Sequence, residues 1–156
     1  KATLKDLDAI VSVEKECFPP LEAATREDFK SRLSYYPNHF ILIFDKEKLI
    51  AFIDGMVTNE KNLTDEMYKD FSMHNEKGDW QMIFGLNTIQ KYRKKGYAGI
   101  LINKMIEDSR ENGRKGVVLT CKEELISFYE KFGFVNEGKS ESNHGNVEWY
   151  QMRIKF

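Results

Sequence analysis

One stretch, residues 80–102, constrains the fold of this 156-residue chain most. It begins with the apolar run Trp80–Ile89, which is typical of a buried strand. A short turn rich in basic residues and glycine follows, and it leads into a segment with the apolar spacing of a helix. Another short apolar run, Gly116–Cys121, comes after that helix. This strand–helix–strand order predicts a parallel crossover connection.

The turn inside this stretch has a local excess of positive charge. It contains Lys91, Arg93, Lys94, Lys95, Gly96 and Gly99. The N-terminus of the following helix offers unpaired backbone N–H groups, and glycine lets a ligand approach the backbone closely. The pattern therefore favours a phosphate or pyrophosphate, although a solvated loop gives the same composition. The Walker and dinucleotide glycine patterns are absent, and a net charge of −1 without a wider basic stripe disfavours nucleic acid.

Local signals divide the rest of the chain into short elements. Thr3 with Asp6, and Thr25 with Asp28, are capping patterns that begin two helices, and prolines end both. The expected helices span 4–18, 25–36, a short piece within 63–71, a segment ending near 113, and 123–132. The expected strands span 39–44, 49–58, 80–89, 116–121, 134–141 and 147–155, the last two closing around 143–146. This order predicts a single mixed α/β (α+β) domain over 1–156 with a largely antiparallel sheet.

Cysteine usage and hydropathy indicate the compartment. Cys17 and Cys121 are far apart in sequence, which favours reduced thiols in a cytoplasmic protein over a disulfide or a zinc site. No apolar run approaches the roughly 20 residues that span a membrane, and no signal sequence is visible. We therefore expect no membrane association and no metal. Cys121 is expected to be a small buried residue at a strand end rather than a nucleophile.

Two motifs resemble those of one known superfamily. Arg93-Lys-Lys-Gly-Tyr-Ala98 is similar to the acyl-CoA-binding signature of the GCN5-related N-acetyltransferases (GNAT), and Phe128-Tyr-Glu-Lys-Phe-Gly-Phe134 is similar to their other common element. The resemblance covers nearly the whole chain and implies the GNAT fold, with helices on both faces of the sheet. Further segments resemble the arylalkylamine (serotonin-type) branch, namely Leu49–Gly55 with the segment that follows it through Thr64, Phe18–Leu21 and Leu119–Leu125.

The resemblance implies an acetyl-CoA co-substrate and assigns residues to it. Turn N–H groups would hold the pyrophosphate, and the strand before the turn would pair with the pantetheine arm. The implied cofactor-binding residues are Leu86, Asn87, Thr88, Arg93, Lys94, Lys95, Gly96, Tyr97, Ala98, Gly99, Phe128 and Lys131. The family position that is otherwise an asparagine is Lys122 here, which leaves that contact open.

The resemblance also implies direct acetyl transfer to an amine through a tetrahedral intermediate. Tyr129 would be the general acid, and the backbone N–H of Leu86 would polarise the thioester carbonyl. The branch's two histidine positions are Met82 and Phe84 here, so its histidine relay is not carried over. Glu22, His74 or a water chain then remain as alternatives for removing the amine proton.

Phe18, Pro20 and Trp149 correspond to positions that line the amine pocket of the serotonin-type branch, which favours a small arylalkylamine acceptor. Two alternatives keep the fold: a CoA-binding regulatory module with little turnover, and a protein or peptide amine acetyltransferase. The superfamily also suggests a possible homodimer.

Overall fold

The computed structural model describes residues 2–142 and 147–156. Within them, the α-helices are α1 (Leu7–Cys17), α2 (Arg26–Tyr35), α3 (Tyr97–Glu111) and α4 (Ile126–Glu130). The strands are β1 (Phe40–Asp45), β2 (Lys48–Asp54), β3 (Val57–Thr58), β4 (Trp80–Ile83), β5 (Gly85–Thr88), β6 (Gly116–Cys121), β7 (Val135–Lys139) and β8 (Tyr150–Lys155). Short 3-10 turns fill several of the connections.

These strands form two sheets that are mostly antiparallel. One has the order β1-β2-β5, and the other has the order β3-β4-β6-β8-β7. The β4 and β6 strands are parallel, and α3 lies between them in the chain, so the crossover predicted from sequence is confirmed. The mixed α/β prediction is also confirmed, but one expected sheet is in fact two.

Both predicted capping patterns are formed. The Thr3 N–H donates to Asp6 Oδ2 at 2.9 Å, and the Thr25 N–H donates to Asp28 Oδ2 at 3.0 Å. The first helix begins as a 3-10 turn at Leu4–Asp6 before α1 continues it. These caps use only neighbours three residues apart, which is why sequence alone located them.

Other predicted boundaries differ from the structure. The expected strand 49–58 breaks at Gly55 because the strands approach closely there: a Cβ on Gly55 would lie 1.8 Å from the Met82 carbonyl oxygen. The expected strand 80–89 breaks at Phe84. The segment 63–71 forms 3-10 turns, and α4 is shorter than expected because its first turn is a 3-10 turn. The expected closing turn at 143–146 lies outside the described residues.

Helices pack on both faces of the sheets, as expected. On one face, Phe29 of α2 meets Phe52 of β2 edge-on, with ring centroids 5.8 Å apart. On the other, α3 buries Leu101, Ile102 and Met105. Among the described residues, no helix combines the length and the hydrophobicity of a membrane-spanning segment.

Candidate active site

A cleft opens where β5 and β6 part. The parallel pairing of β4 with β6 ends at Ile83 and Leu119, and Phe84 then separates β4 from β5. Beyond that point β5 pairs with β2, and β6 pairs with β8. The two sheets therefore diverge and leave a V-shaped opening, lined on one side by Leu86 and on the other by Tyr129.

The edge of β5 presents backbone groups to this cleft. The Ile89 N–H donates to the Ile50 carbonyl at 3.0 Å, so residue 89 faces β2. Because alternate residues of a strand direct their backbone groups to opposite edges, Leu86 and Thr88 face the cleft. The Thr88 carbonyl accepts a hydrogen bond from Arg93 Nε at 2.8 Å, in agreement with this direction. The Leu86 N–H therefore faces the cleft, and its contact with a thioester carbonyl stays a prediction.

Asn87 differs from the sequence expectation that it would offer backbone groups to a pantetheine arm. By the same alternation its backbone faces β2, and its side chain is buried. Asn87 Nδ2 donates to Glu14 Oε1 at 2.6 Å. Its contribution to the cleft is therefore indirect, because it holds α1 against β5.

The basic turn forms an anion-accepting cavity at the start of α3. Lys94 and Gly96 adopt positive φ values of 63° and 87°, and Gly96 is the N-cap residue of α3 without a side-chain cap. Tyr97, Ala98 and Gly99 of the first helical turn line the cavity, so the positive end of the helix dipole lies beside it. The lining residues are Thr88, Tyr92, Arg93, Lys94, Gly96, Tyr97, Ala98, Gly99, Phe128 and Phe132.

Two predicted cofactor residues lie beside this cavity instead of lining it. The Lys95 ammonium lies 5.6 Å from the ring centroid of Tyr92, and the Lys131 ammonium lies 5.3 Å from that of Phe128. Both rings belong to the cavity wall. The two lysines therefore add positive charge around the anion-accepting cavity without entering it.

Tyr129 is buried in the wall of the cleft. Its ring meets Phe128 and Phe134 edge-on, with centroids 5.2 and 5.8 Å away. Burial raises the pKa of the Tyr129 hydroxyl well above its ordinary value, with a smaller contribution from Cys121. The hydroxyl therefore keeps its proton at neutral pH, as a general acid requires. Cys121 also lines the cleft, and burial raises the pKa of its thiol to about 11, which disfavours a nucleophilic thiolate.

Three carboxylates line the other side of the cleft. Glu22 is not a solvent-facing acid: its side chain is 7% exposed, and its Oε1 lies 2.8 Å from Lys122 Nζ. Asp28 pairs with Lys69 at 2.9 Å. Together with Glu14, these groups make the cleft lining carboxylate-rich, although Arg32 and Lys69 line the same cleft and balance part of the negative charge.

Sequence reasoning missed the role of Glu14. Its carboxylate accepts hydrogen bonds from the Ala24 N–H at 2.8 Å and from Asn87, so it fixes the α1–α2 loop to β5. The signal was present in the sequence, since Glu14 shares the apolar stripe of α1 with Leu7, Ile10 and Val11. A carboxylate on a buried helix face calls for a specific polar partner.

The family model described as "Acetyltransferase (GNAT) family" matches residues 7–134. The chain belongs to the GNAT acetyltransferase family. Serotonin N-acetyltransferase of Mesocricetus auratus is 23% identical over 158 residues, which cover 99% of this chain and 75% of that protein.

Solved structures show the same GNAT fold. The loading GNATL domain of CurA from Lyngbya majuscula superposes with a TM-score of 0.85 at 14% identity, covering 99% of this chain and 94% of that one. The GNAT-like decarboxylase GphF in complex with isobutyryl-CoA gives a TM-score of 0.85 at 15% identity, with coverages of 99% and 96%. At these identities the likeness concerns the fold alone.

The histidine positions of the serotonin-type branch do not supply a base in this GNAT protein. Met82 is fully buried, and Phe84 lines the cleft with its ring centroid 4.7 Å from that of Tyr68. His74 lies elsewhere, because its Nδ1 accepts the Val57 N–H at 3.0 Å and its Nε2 meets Glu76 at 3.0 Å. His74 is not among the residues that line the cleft. His39 does not line the cleft either, and His144 lies outside the described residues.

His39, His74 and Glu76 place three ligand atoms within 4.8 Å of one another. Since His74 Nδ1 accepts a backbone N–H, its proton must sit on Nε2, the atom that faces Glu76. A metal at that nitrogen would require the opposite tautomer and would leave the Val57 N–H without its acceptor. The cluster therefore fits hydrogen bonding better than metal ligation.

The predicted amine-pocket residues divide into two groups. Phe18 and Trp149 line the cleft, beside Phe84 and Tyr68. Pro20 is exposed on the α1–α2 loop, and the cleft lining does not include it. The loop turns back at Pro19, whose carbonyl accepts the Glu22 and Ala23 N–H groups, and a role for Pro20 in an amine pocket stays a prediction.

A buried ion pair supports the cleft from behind. Arg32 Nη1 donates to Asp54 Oδ2 at 3.1 Å, and both side chains are almost fully buried. The Arg32 guanidinium also lies 4.9 Å from the ring centroid of Phe29 and 5.3 Å from that of Phe84. Burial raises the pKa of Asp54 to about 6, although Arg32 opposes the shift.

We expect Asp54→Leu to lower the free energy of unfolding by about 3–5 kcal/mol, because it leaves the Arg32 charge buried without its partner. The double variant Arg32→Met with Asp54→Leu should recover most of that loss, since it removes both charges. Urea unfolding followed by circular dichroism measures both. A double variant as unstable as Asp54→Leu would show that the pair stabilises the fold through something other than charge compensation.

Proposed function

We propose that this chain is an acetyl-CoA-dependent N-acetyltransferase whose acceptor is a small primary amine, in particular an arylalkylamine. The proposal rests on one observation: β5 and α4 each contribute residues both to the anion-accepting cavity and to the carboxylate-rich cleft. Thr88 and Phe128 line the cavity, and Leu86 and Tyr129 line the cleft. A molecule with a phosphate end and a thioester end could therefore extend along β5 from one to the other.

The anion-accepting cavity fits the phosphate end of acetyl-CoA. The uncapped start of α3 supplies backbone N–H donors, Arg93 and Lys94 supply positive charge, and Ala98 and Gly99 leave room for close approach. That the GNAT-like neighbour GphF holds isobutyryl-CoA supports an acyl-CoA ligand for this fold.

At the thioester end, three groups of this chain would each assist one part of the acetyl transfer. The Leu86 N–H would stabilise the negative charge that develops on the carbonyl oxygen. Glu22 would receive the proton of the acceptor ammonium, with Glu14 as a second carboxylate in reach of the cleft. Tyr129 would give its proton to the leaving sulfur, because burial keeps that hydroxyl protonated.

The lining of the acceptor side favours a small flat amine. Phe18, Tyr68, Phe84 and Trp149 offer apolar and aromatic surface next to the carboxylates. The similarity to serotonin N-acetyltransferase supports the same choice. We further propose that residues 1–156 act as one catalytic domain in the cytoplasm, where the two free cysteines stay reduced; the homodimer stays a prediction.

A panel of acceptors tests the proposal by thiol release from acetyl-CoA. We expect phenethylamine- and tryptamine-type amines to give a kcat/KM at least ten times that of a peptide with a free N-terminus or a lysine side chain. A peptide that outperforms every small amine would instead identify a protein acetyltransferase. Tight CoA binding without release for any acceptor would identify a regulatory module.

A further inference from the structure

An aspartate from a distant hairpin holds one wall of the anion-accepting cavity. The ring of Tyr92 lines this cavity, and its hydroxyl donates to Asp45 Oδ2 at 2.5 Å. Asp45 is the last residue of β1 and lies 47 positions before Tyr92 in the sequence. The hydrogen bond to Asp45 raises the pKa of the Tyr92 hydroxyl, so this hydroxyl stays a donor at neutral pH.

Of these two side chains, Asp45 has the firmer position. It pairs with Lys48 across the tight turn that Lys46 and Glu47 form, so the hairpin of β1 and β2 fixes its backbone. Tyr92 instead ends the short 3-10 turn Gln90–Tyr92, and its side chain is only half-buried. The hydrogen bond therefore restrains Tyr92 more than it restrains Asp45.

The orientation of the Tyr92 ring affects both the charge and the shape of the cavity. The Lys95 ammonium lies 5.6 Å from the centroid of this ring, and the ring of Tyr97 meets it edge-on at 6.2 Å. A hydrogen bond to an ionised carboxylate is stronger than one between neutral groups, so it limits rotation of the ring. If the ring turned away, the cavity would lose part of its wall and the contact that holds Lys95 nearby.

The charge of Asp45 does not explain its place beside this cavity. A carboxylate repels a phosphate ligand, so by charge alone Asp45 would oppose binding there. Its side chain is exposed, and salt screens interactions between exposed charges. The repulsion is therefore weak, and the hydrogen bond to Tyr92 is the stronger effect of this residue.

We propose that Asp45 is a positioning residue for acyl-CoA: through the Tyr92 hydroxyl it holds the ring of Tyr92, and with it Lys95, at the anion-accepting cavity. The proposal rests on the proposed function, because it takes this cavity as the site of the CoA phosphates. Asp45 itself lines neither the cavity nor the cleft. It therefore acts on the binding of CoA and leaves the acetyl transfer step unchanged.

Calorimetric titration with CoA tests this without requiring turnover. Asp45→Ala and Asp45→Asn both remove the charge, but only the asparagine keeps an oxygen that can accept the Tyr92 hydroxyl. We expect Asp45→Ala to bind CoA roughly 3- to 10-fold more weakly and Asp45→Asn to stay within about twofold of the wild type. Tyr92→Phe should lose as much as Asp45→Ala, and the double variant should lose no more than either, because all three lack the same hydrogen bond.

Glu47→Gln is the matched control, because it removes an exposed charge from the same turn, and it should keep the wild-type affinity. In thiol release, Asp45→Ala should raise the KM for acetyl-CoA and keep kcat.

Three results would overturn the proposal: equal CoA affinity in Asp45→Ala and Asp45→Asn, additive losses in the double variant, or a lower kcat with an unchanged KM. A wild-type chain that does not bind CoA would contradict both this proposal and the proposed function. Weaker CoA binding by Asp45→Ala alone, without thiol release from any amine in the wild type, would support the proposal while contradicting the proposed function.

Discussion

Replacing Tyr129 with phenylalanine should lower kcat by about 10²- to 10³-fold while leaving the Kd for CoA nearly unchanged. The ring contacts with Phe128 and Phe134 are kept in this variant, so the cleft wall should hold its shape. The only loss is the hydroxyl proton, which the leaving thiolate would otherwise receive. Steady-state thiol release together with calorimetric CoA titration measures the two quantities.

Tyr36 provides a matched control for this experiment. It is also fully buried, but its hydroxyl has no hydrogen-bond partner among the described residues, and it does not line the cleft. We expect Tyr36→Phe to keep full turnover. If Tyr129→Phe is as active as Tyr36→Phe, the leaving thiolate does not depend on Tyr129.

An aspartate at position 98 should abolish most acetyl-CoA affinity without harming the fold. Ala98 lies in the first turn of α3 and lines the anion-accepting cavity. There a carboxylate stabilises the helix through its dipole but repels a pyrophosphate. At about 5 Å and an effective dielectric constant near 20, that repulsion is about 3 kcal/mol, which corresponds to a Kd on the order of 100-fold weaker.

The matched variant is Ala98→Asn, which has nearly the same shape and no charge. It should lose no more than a few-fold in affinity, and the melting temperature of Ala98→Asp should equal or exceed that of Ala98→Asn. Equal CoA affinity in the two variants would mean that the phosphates do not bind at this helix start. A lower melting temperature for Ala98→Asp would mean that the first turn is not oriented as described.

Local interactions made much of the fold predictable from the sequence. The caps of Thr3 and Thr25 depend on residues three positions away, and the crossover follows from the order of the apolar runs. The separation of the sheets was harder to predict, because Phe84 interrupts a run of apolar residues that looks continuous. Only the pairing of β5 with β2 and of β6 with β8 turns this interruption into a cleft.

The residues of the candidate site also differ in how well the sequence alone could predict them. The turn before α3 and Tyr129 lie in contiguous motifs, so the sequence alone was enough to single them out as candidates. Glu14 and the partner of Glu22 depend on loops that meet only in the folded chain. The resemblance to the serotonin-type branch assigns Pro20 to the pocket, but the direction of its loop is set by contacts that only the folded chain makes, such as that of Ala24 with Glu14.

A single-turnover experiment with acetyl-CoA labelled in the acetyl carbonyl tests whether the acetyl group passes directly from CoA to an amine. With excess enzyme and phenethylamine, we expect the label to move to the amine in one step and no label to stay on the quenched protein. Labelled Cys121 before product formation would contradict direct transfer. Label that appears only as free acetate would contradict an amine acceptor in the cleft between β5 and β6.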